Sequence, residues 1–311
     1  MAAMDLSIII VNWKVRDLLR ACLDSIYAEA EMPREQFEVV VVDNDSRDGS
    51  VEMVRNEFPQ VRLIPNADNP GFGRANNQGL TLCSGRYVLL LNPDTVVLDH
   101  GLDRMVRHLD ANPGISVLGC RLLNGDRTLQ RWTGGAFISV PTAACHYLFL
   151  DKVLPRALRP RSLYLDGDVA GDVDVDWISG AVMLLRREHL AQGMFDESFF
   201  MYGEDMELCS RMGRLGRVVY SPVASIIHYQ GASMAQQSGE VMLSSLKGPR
   251  AYYRLRHGGT WVWAIDLITA AGFAVRWAAY TAMAPLRRGC WSKARSSQQY
   301  LIRSLRIMGG G

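Results

Sequence analysis

The sequence predicts an α/β protein with a mostly parallel central sheet flanked by helices, followed by a basic, apolar helical extension. Three observations carry that expectation. Short, largely apolar runs alternate with segments of helical period, as in a parallel sheet buried on both faces. Each run stops at a polar, turn-forming cluster. Residues 240–311 also differ in charge from everything before them.

Leu6–Val11 is the first apolar, β-branched run and reads as a buried strand. Val15, Leu18, Leu19, Cys22, Leu23, Ile26 and Tyr27 then recur at helical intervals, forming one face of an amphipathic helix. Phe37–Val42 is the second strand, closed by the cluster DNDSRDGS. A helix from about Ser50, a strand at Val61–Ile64, a Gly- and Asn-rich loop and a helix over Arg74–Thr81 follow. They lead to a fourth strand, Tyr87–Leu91, stopped by Asn92, Pro93 and Asp94. Val117–Cys120 is a further strand. Residues 121–175, rich in Arg, Gly and Pro, have poor periodicity and read as a mobile acceptor-side loop region. Order returns at Ala181–Leu185, a strand expected to run into a helix.

With 311 residues, 48% hydrophobic and 21% charged, the chain is neither disordered, collagenous nor a small disulfide scaffold. The expected division is an α/β body over 1–240 and a helical region over 241–311. A net charge of +2 hides an asymmetry: residues 240–311 hold 11 Lys and Arg against Glu240 and Asp266, giving +9, which leaves −7 elsewhere. Within that tail, Thr260–Pro285 is apolar apart from Asp266 and Arg276, and both its flanks are basic. Such a segment is borderline for a span, and the positive-inside rule puts both ends in the cytoplasm. An in-plane or re-entrant helix at an anionic membrane surface is therefore expected, ahead of a helix packed on the domain with a solvated basic face. No nucleic-acid motif accompanies the charge. The six cysteines show no CxxC spacing, which points to a reducing compartment without disulfides or zinc. Met1–Trp13 lacks a basic leader, so a cytoplasmic protein without a signal peptide is expected.

Parallel α/β sheets bind ligands at the carboxyl ends of their strands. Polar residues gather there in three groups: Asn12 and Trp13, then Asp43, Asn44 and Asp45, then Asn92 and Asp94. A carboxylate in the second group can accept from a ribose hydroxyl or a base N–H, and Trp13 offers a ring face; Asp45, Ser46 and Asp48 could equally cap the next helix. The GFGRANNQG string has Asn76 where a dinucleotide fingerprint needs its third glycine, and it follows the third strand, so no nicotinamide cofactor is expected. Gly71 and Gly73 still permit close backbone approach to a diphosphate or ribose. Asp94 suits Mg²⁺ or Mn²⁺ on a nucleotide, or a turn cap. Asp196, Glu197, Glu204, Asp205 and Glu207 lie among Phe195, Phe199, Phe200, Met201 and Tyr202. Apolar surroundings raise a carboxylate toward what a general base requires, although Glu204 and Asp205 also suit a helix N-terminus. His228 follows an apolar run and is a candidate for the diphosphate or metal.

Taken in order, the strings SIIIVNW, VVVVDNDSRDGS, NPGFGRANNQG, GRYVLLLNPDTVV, ISGAVMLLRR, GMFDESFFMYGEDMELCSRMGRLG and HYQGAS resemble glycosyltransferase family 2, and within it the rhamnosyltransferase-like bacterial group. The resemblance covers roughly residues 5–235. It implies a GT-A fold, Rossmann-like, that binds a nucleoside-diphosphate sugar. Asp43 and Asp45 would hold base and ribose, with Val11 and Trp13 nearby and Gly73, Asn76, Asn92, Ser179 and Gly180 near the donor. Asp94 would be the metal carboxylate of the DxD-type motif, whose first position is here Asn92, with His228 close to the diphosphate. Asp205 would be the catalytic base with Glu204 beside it. The implied reaction is an inverting, Mg²⁺- or Mn²⁺-dependent transfer, first of L-rhamnose from dTDP-L-rhamnose, to a glycan or lipid-linked acceptor at the inner face of the cell membrane. Competing expectations are a UDP- or GDP-hexose donor, or a non-catalytic membrane-bound scaffold, against which the intact Asp94, Glu204 and Asp205 argue. A nucleotidyltransferase would want a Gly-rich basic loop where this chain has VNWKVRD.

Overall fold

The computed structural model describes residues 4–165, 167–191, 193–229, 238–287 and 289–308. The chain forms two compact units, one of residues 1–134 with 165–238, the other of 135–164 with 239–311. The expected single cut near residue 240 therefore differs from the fold: a middle segment joins the C-terminal one.

The first unit contains β1 (Leu6–Asn12), α1 (Arg16–Glu29), β2 (Phe37–Asn44), α2 (Ser50–Glu57), β3 (Arg62–Asn66), α3 (Phe72–Leu80), β4 (Tyr87–Leu91), β5 (Thr95–Val97), α4 (Gly101–Ala111) and β6 (Ile115–Leu123). After the two-residue strand β7 (Gly134–Gly135), α5 (Val140–Tyr147) belongs to the second unit. The first then resumes with β8 (Val173–Asp174), β9 (Trp177–Ile178), β10 (Val182–Arg186), α6 (Glu204–Met212) and β11 (Arg217–His228). The main sheet runs β3-β2-β1-β4-β10-β6-β11-β5, with β8 against β11. β1 to β4 are mutually parallel, as are β6 and β11. β10 runs antiparallel to both its neighbours, and β5 antiparallel to β11. An apolar run such as Val182–Leu185 carries no sign of strand direction.

The helical face read from Val15 to Tyr27 is the one that packs: Leu19, Cys22, Leu23 and Ile26 are fully buried in one cluster with Ile8, Ile10, Val39 and Val41. That continuous apolar layer explains why these strands are largely hydrophobic. The helix expected after β10 is only a 3₁₀ turn, Arg187–Leu190.

Three strand registers build the functional edge. β1 on β2 sets Asn12 opposite Asp43. β5 on β11 sets Thr95 opposite His228, and the Tyr229 amide donates to the Asp94 carbonyl at 2.8 Å. Beyond the β4–β10 pairing, the Asn92 amide donates to the Ala181 carbonyl at 2.9 Å.

The second unit consists of α5, α7 (Ser238–His257), α8 (Val262–Met283) and α9 (Cys290–Met308). Residues 121–175, expected as a loop region, thus contribute a packed helix. Its start is a capping box in which Ser139 Oγ accepts from the Thr142 amide at 3.3 Å and Thr142 Oγ1 accepts from the Ser139 amide at 2.8 Å. Thr stands where the usual sequence signal has Glu or Gln, and eight residues are too few to show a period.

Candidate active site

At the ends of β1 and β2, Asn12 Nδ2 donates to Asp43 Oδ2 at 2.7 Å and to Ser46 Oγ at 3.0 Å. The Ser46 amide and hydroxyl donate to Asp43 at 3.0 and 2.6 Å. The Lys14 amide completes Ser46 at 2.9 Å. Asp43 is therefore a buried brace under the loop, its carboxylate accepting three protein hydrogen bonds. Asp45, in the left-handed region at φ 56°, stands at the rim and pairs with exposed Arg47 at 2.7 Å. An open pocket of about 470 Å³ lies there, lined by Trp13, Lys14, Asn44, Asp45, Arg47 and Asn69 among others. Of the residues assigned to base and ribose, Trp13 and Asp45 line this pocket, Val11 is half-buried in β1 and Asp43 lies beneath.

Past β4, Asp94 Oδ1 is 3.2 Å from His228 Nε2, both side chains buried. Asn92 Nδ2 is 3.3 Å from the same nitrogen. Gln130, unremarked in the sequence, fixes the ring. Its Nε2 donates to the His228 carbonyl at 3.1 Å and to Asn124 Oδ1 at 3.2 Å. That leaves its Oε1 to accept from His228 Nδ1 at 2.7 Å. A neutral ring with its proton on Nδ1 would turn the Nε2 lone pair toward Asp94, the state a metal-ligating imidazole requires. The 3.2 Å separation is close to the roughly 3 Å between adjacent ligands of an octahedral ion with bonds of about 2.1 Å. Among the described residues no third His, Cys, Asp or Glu joins the pair. The donor set fits Mg²⁺ or Mn²⁺ shared with phosphate oxygens and water. Beyond Tyr229, the rest of the HYQGAS string lies outside the described residues.

Glu204 and Asp205 open α6 behind Gly203, left-handed at φ 90°. Burial pushes both carboxyl groups above the ordinary range, and the neighbouring Asp205 charge raises Glu204 further. The two differ in access. Glu204 is 5% exposed and its Oε2 has no hydrogen-bond partner, whereas Asp205 is half-buried and its Oδ1 accepts from the Met206 amide at 2.8 Å. Backbone hydrogen bonds from Gly180 and Gly203 also favour ionised Asp205. Asp205 can thus exchange protons with a ligand while Glu204 stays largely enclosed. Ser179 is anchored through its amide to the Thr133 carbonyl at 2.9 Å.

Gly73 and Asn76 serve packing. A Cβ on Gly73 would sit 3.1 Å from Phe195 Cβ, and buried Asn76 donates to the Phe72 carbonyl at 3.0 Å within its own helix. Gly71 at φ 91° leaves room only for a bare backbone, since a Cβ would meet the Phe200 carbonyl at 2.8 Å. Sequence reasoning passed over Asn77, which holds Phe195 from both sides, donating to its carbonyl and accepting from its amide at 2.9 Å each. Trp132 was also missed. It is 57% exposed at φ 63°, in the short segment between Gln130, bonded to His228, and Thr133, bonded to Ser179. A tryptophan shortly before the Gly134–Gly135 pair is the signal that could have marked it.

Comparison with known proteins identifies the family. The profile of Glycosyl transferase family 2 matches residues 7–192. The N-acetylglucosaminyl-diphospho-decaprenol L-rhamnosyltransferase of Mycobacterium tuberculosis is 26% identical over 82% of this chain and 86% of its own length. Rhamnosyltransferase WbbL of Escherichia coli K12 is 25% identical over 71% and 82%. Among solved structures, the mannosyltransferase PcManGT of Pyrobaculum calidifontis, in complex with GDP-Man and Mn²⁺, matches with a TM-score of 0.58 at 18% identity, over 97% of this chain and 86% of that one. That likeness speaks for the GT-A fold. With the profile covering more than half its length, the chain belongs to glycosyltransferase family 2.

Proposed function

We propose that this glycosyltransferase moves a sugar, L-rhamnose from dTDP-L-rhamnose in the first instance, to a saccharide hydroxyl on a lipid-linked glycan during cell-surface polysaccharide synthesis. The observation that carries this reading is the convergence, at one end of the sheet, of the Asp94–His228 pair and the Glu204–Asp205 pair. The rhamnosyltransferase names of the Mycobacterium tuberculosis and Escherichia coli relatives support the choice of sugar and acceptor.

Trp13 and Asp45 hold the base and ribose in the pocket beyond β1 and β2. Asp94 and His228 would hold a Mg²⁺ or Mn²⁺ ion, which when bound offsets the charge of a leaving diphosphate. Asp205 accepts the proton of the acceptor hydroxyl as its oxygen bonds to the anomeric carbon and the carbon–oxygen bond to the diphosphate breaks, inverting that centre. Burial raises its proton affinity while the backbone N–H groups around it keep the ionised form accessible, the balance a general base needs. Ser179 and Gly180 fix the backbone beside it. A lipid carrier for the acceptor places the work at the cytoplasmic face of a membrane.

The test is release of nucleoside diphosphate from a panel of nucleotide sugars with Mn²⁺, Mg²⁺ or EDTA, with and without lipid-linked acceptor. Turnover of dTDP-L-rhamnose that EDTA stops, and that Asp205→Asn lowers by about 10²–10⁴ without loss of donor binding, is the expected result. A preference for a UDP- or GDP-hexose would replace the donor. No turnover of any donor with acceptor present would leave the non-catalytic scaffold.

A further inference from the structure

The second unit carries a surface the transfer reaction does not use. Of the seventeen large apolar side chains that are exposed among the described residues, thirteen belong to it. Its two stretches together hold fifteen Lys and Arg against three Asp and Glu, a net +12 on a chain whose total is +2. A surface both this apolar and this basic suits neither bulk water nor a hydrophobic core.

The arrangement of α8 is more specific. Trp263, Leu267, Ala271, Val275, Ala278 and Ala282 repeat every three or four residues along its outward side, all exposed or half-buried, and that side carries no charge. The two charged residues of α8 point into the unit and are matched there. Asp266 takes Arg250 of α7 on both oxygens at 3.0 Å. Arg276 donates to the Tyr147 carbonyl at 2.8 Å, the Gly272 carbonyl at 3.1 Å and the His146 carbonyl at 3.2 Å. At 22 residues the helix is about 33 Å long, enough to cross a bilayer core of about 30 Å. Crossing, however, would carry the Asp266–Arg250 pair and the Arg276 contacts into hydrocarbon along with their partner helices. Lying flat keeps that charged side toward water.

We propose that α8 docks in the plane of an anionic bilayer leaflet, its outward stripe immersed to the level of the acyl chains, without spanning it. Trp261 and Trp263 at one end and Trp291 beyond the other are exposed, where amphipathic rings suit the headgroup boundary. Arg254, Arg256, Arg287, Lys293 and Arg295 flank the helix and meet the anionic lipid. The proposal rests on the transferase reading only for why a membrane is nearby, and binding can be read without turnover, so either can fail alone.

The test is flotation of the full chain with vesicles of phosphatidylcholine, with and without phosphatidylglycerol. Binding should depend on the anionic lipid and weaken with salt. Each of Leu267→Glu and Val275→Glu should lower partitioning about tenfold with the circular dichroism spectrum and soluble donor turnover unchanged. The side on which α8 lies is read by cysteine labelling, because all six native cysteines are buried. Gly259→Cys and Leu286→Cys, at exposed positions on either side of α8, should both react with an impermeant maleimide in vesicle-bound protein. Protection of one of them means a span and overturns the proposal. So do unchanged flotation of the Glu variants, or a concentration-dependent dimer that those variants abolish, which would make a second copy the occupant.

Discussion

Gln130→Met tests the assignment of His228 most directly, because it removes the group behind the ring and replaces no side chain proposed to face the nucleotide. Met nearly matches Gln in shape but cannot bond to His228 Nδ1 at 2.7 Å, to its carbonyl at 3.1 Å or, in a less buried contact, to Asn124 at 3.2 Å. Two buried hydrogen bonds are lost at about 1 kcal/mol each, and stranding their partners away from water adds about 1 kcal/mol more at the low end. A loss of about 3 kcal/mol implies unfolding some 5–10 °C lower, readable by calorimetry. Freed of Nδ1 anchoring, the imidazole can turn or take the other tautomer. Loss of such outer partners typically weakens metal sites about 10–100-fold. The Mn²⁺ concentration for half-maximal donor turnover should therefore rise by that factor, with the rate at saturating Mn²⁺ largely restored. A variant with the lower melting temperature but unchanged Mn²⁺ dependence would refute the reasoning: Gln130 would then hold the strand end together and nothing more, and His228 would not be a ligand.

Glu204→Gln should raise the melting temperature more at pH 8 than at pH 5. Burial and Asp205 lift the native pKa of Glu204 above its unfolded value, so its cost is absent below the unfolded pKa and grows as pH rises through the native one; an equal gain at both pH values would contradict this. Gly71→Ala should cost about 2 kcal/mol by thermal melting, because φ 91° and the Phe200 carbonyl at 2.8 Å leave no space for a methyl group; a neutral result would mean that the loop yields freely. Trp132→Ala should raise the acceptor KM about tenfold with kcat nearly unchanged while Trp132→Phe restores most of it, since an exposed ring on the segment from Gln130, bonded to His228, to Thr133, bonded to Ser179, can lie against a sugar face. A change in donor KM instead would move Trp132 to the nucleotide side.

Much of the first unit was legible because its central strands are buried on both faces and so write themselves as largely apolar runs. The α1 face from Val15 to Ile26 was equally plain, since packing on one side imposes a period of 3.6 residues. The pairing of Glu204 with Asp205 could be read because both lie in one string. Asp94 and His228 were both candidates, but their meeting depends on β5 pairing with β11, and Gln130, which orients the ring, lies 98 residues from His228. No local pattern encodes such a register. The same limit hid the true extent of the second unit. Helix α5 is short, capped by an unusual Ser–Thr pair and surrounded by prolines and arginines, so its segment looked like a loop until α8 was seen packed on it.

That long-range packing bears on how the chain is made. The Arg276 side chain that closes the Tyr147 carbonyl stands 129 residues away. At typical elongation rates of about 5–20 residues per second, α5 waits on the order of ten seconds for its partner. During that interval the sheet of the first unit can form, while the helix that will join α8 has open carbonyls and an uncovered apolar side. The newborn protein can therefore bring Asp94, His228 and Asp205 into place before the helices of the second unit close on α5. Cutting the chain near residue 240 would not yield a clean soluble enzyme, because it would leave α5 permanently in that waiting state.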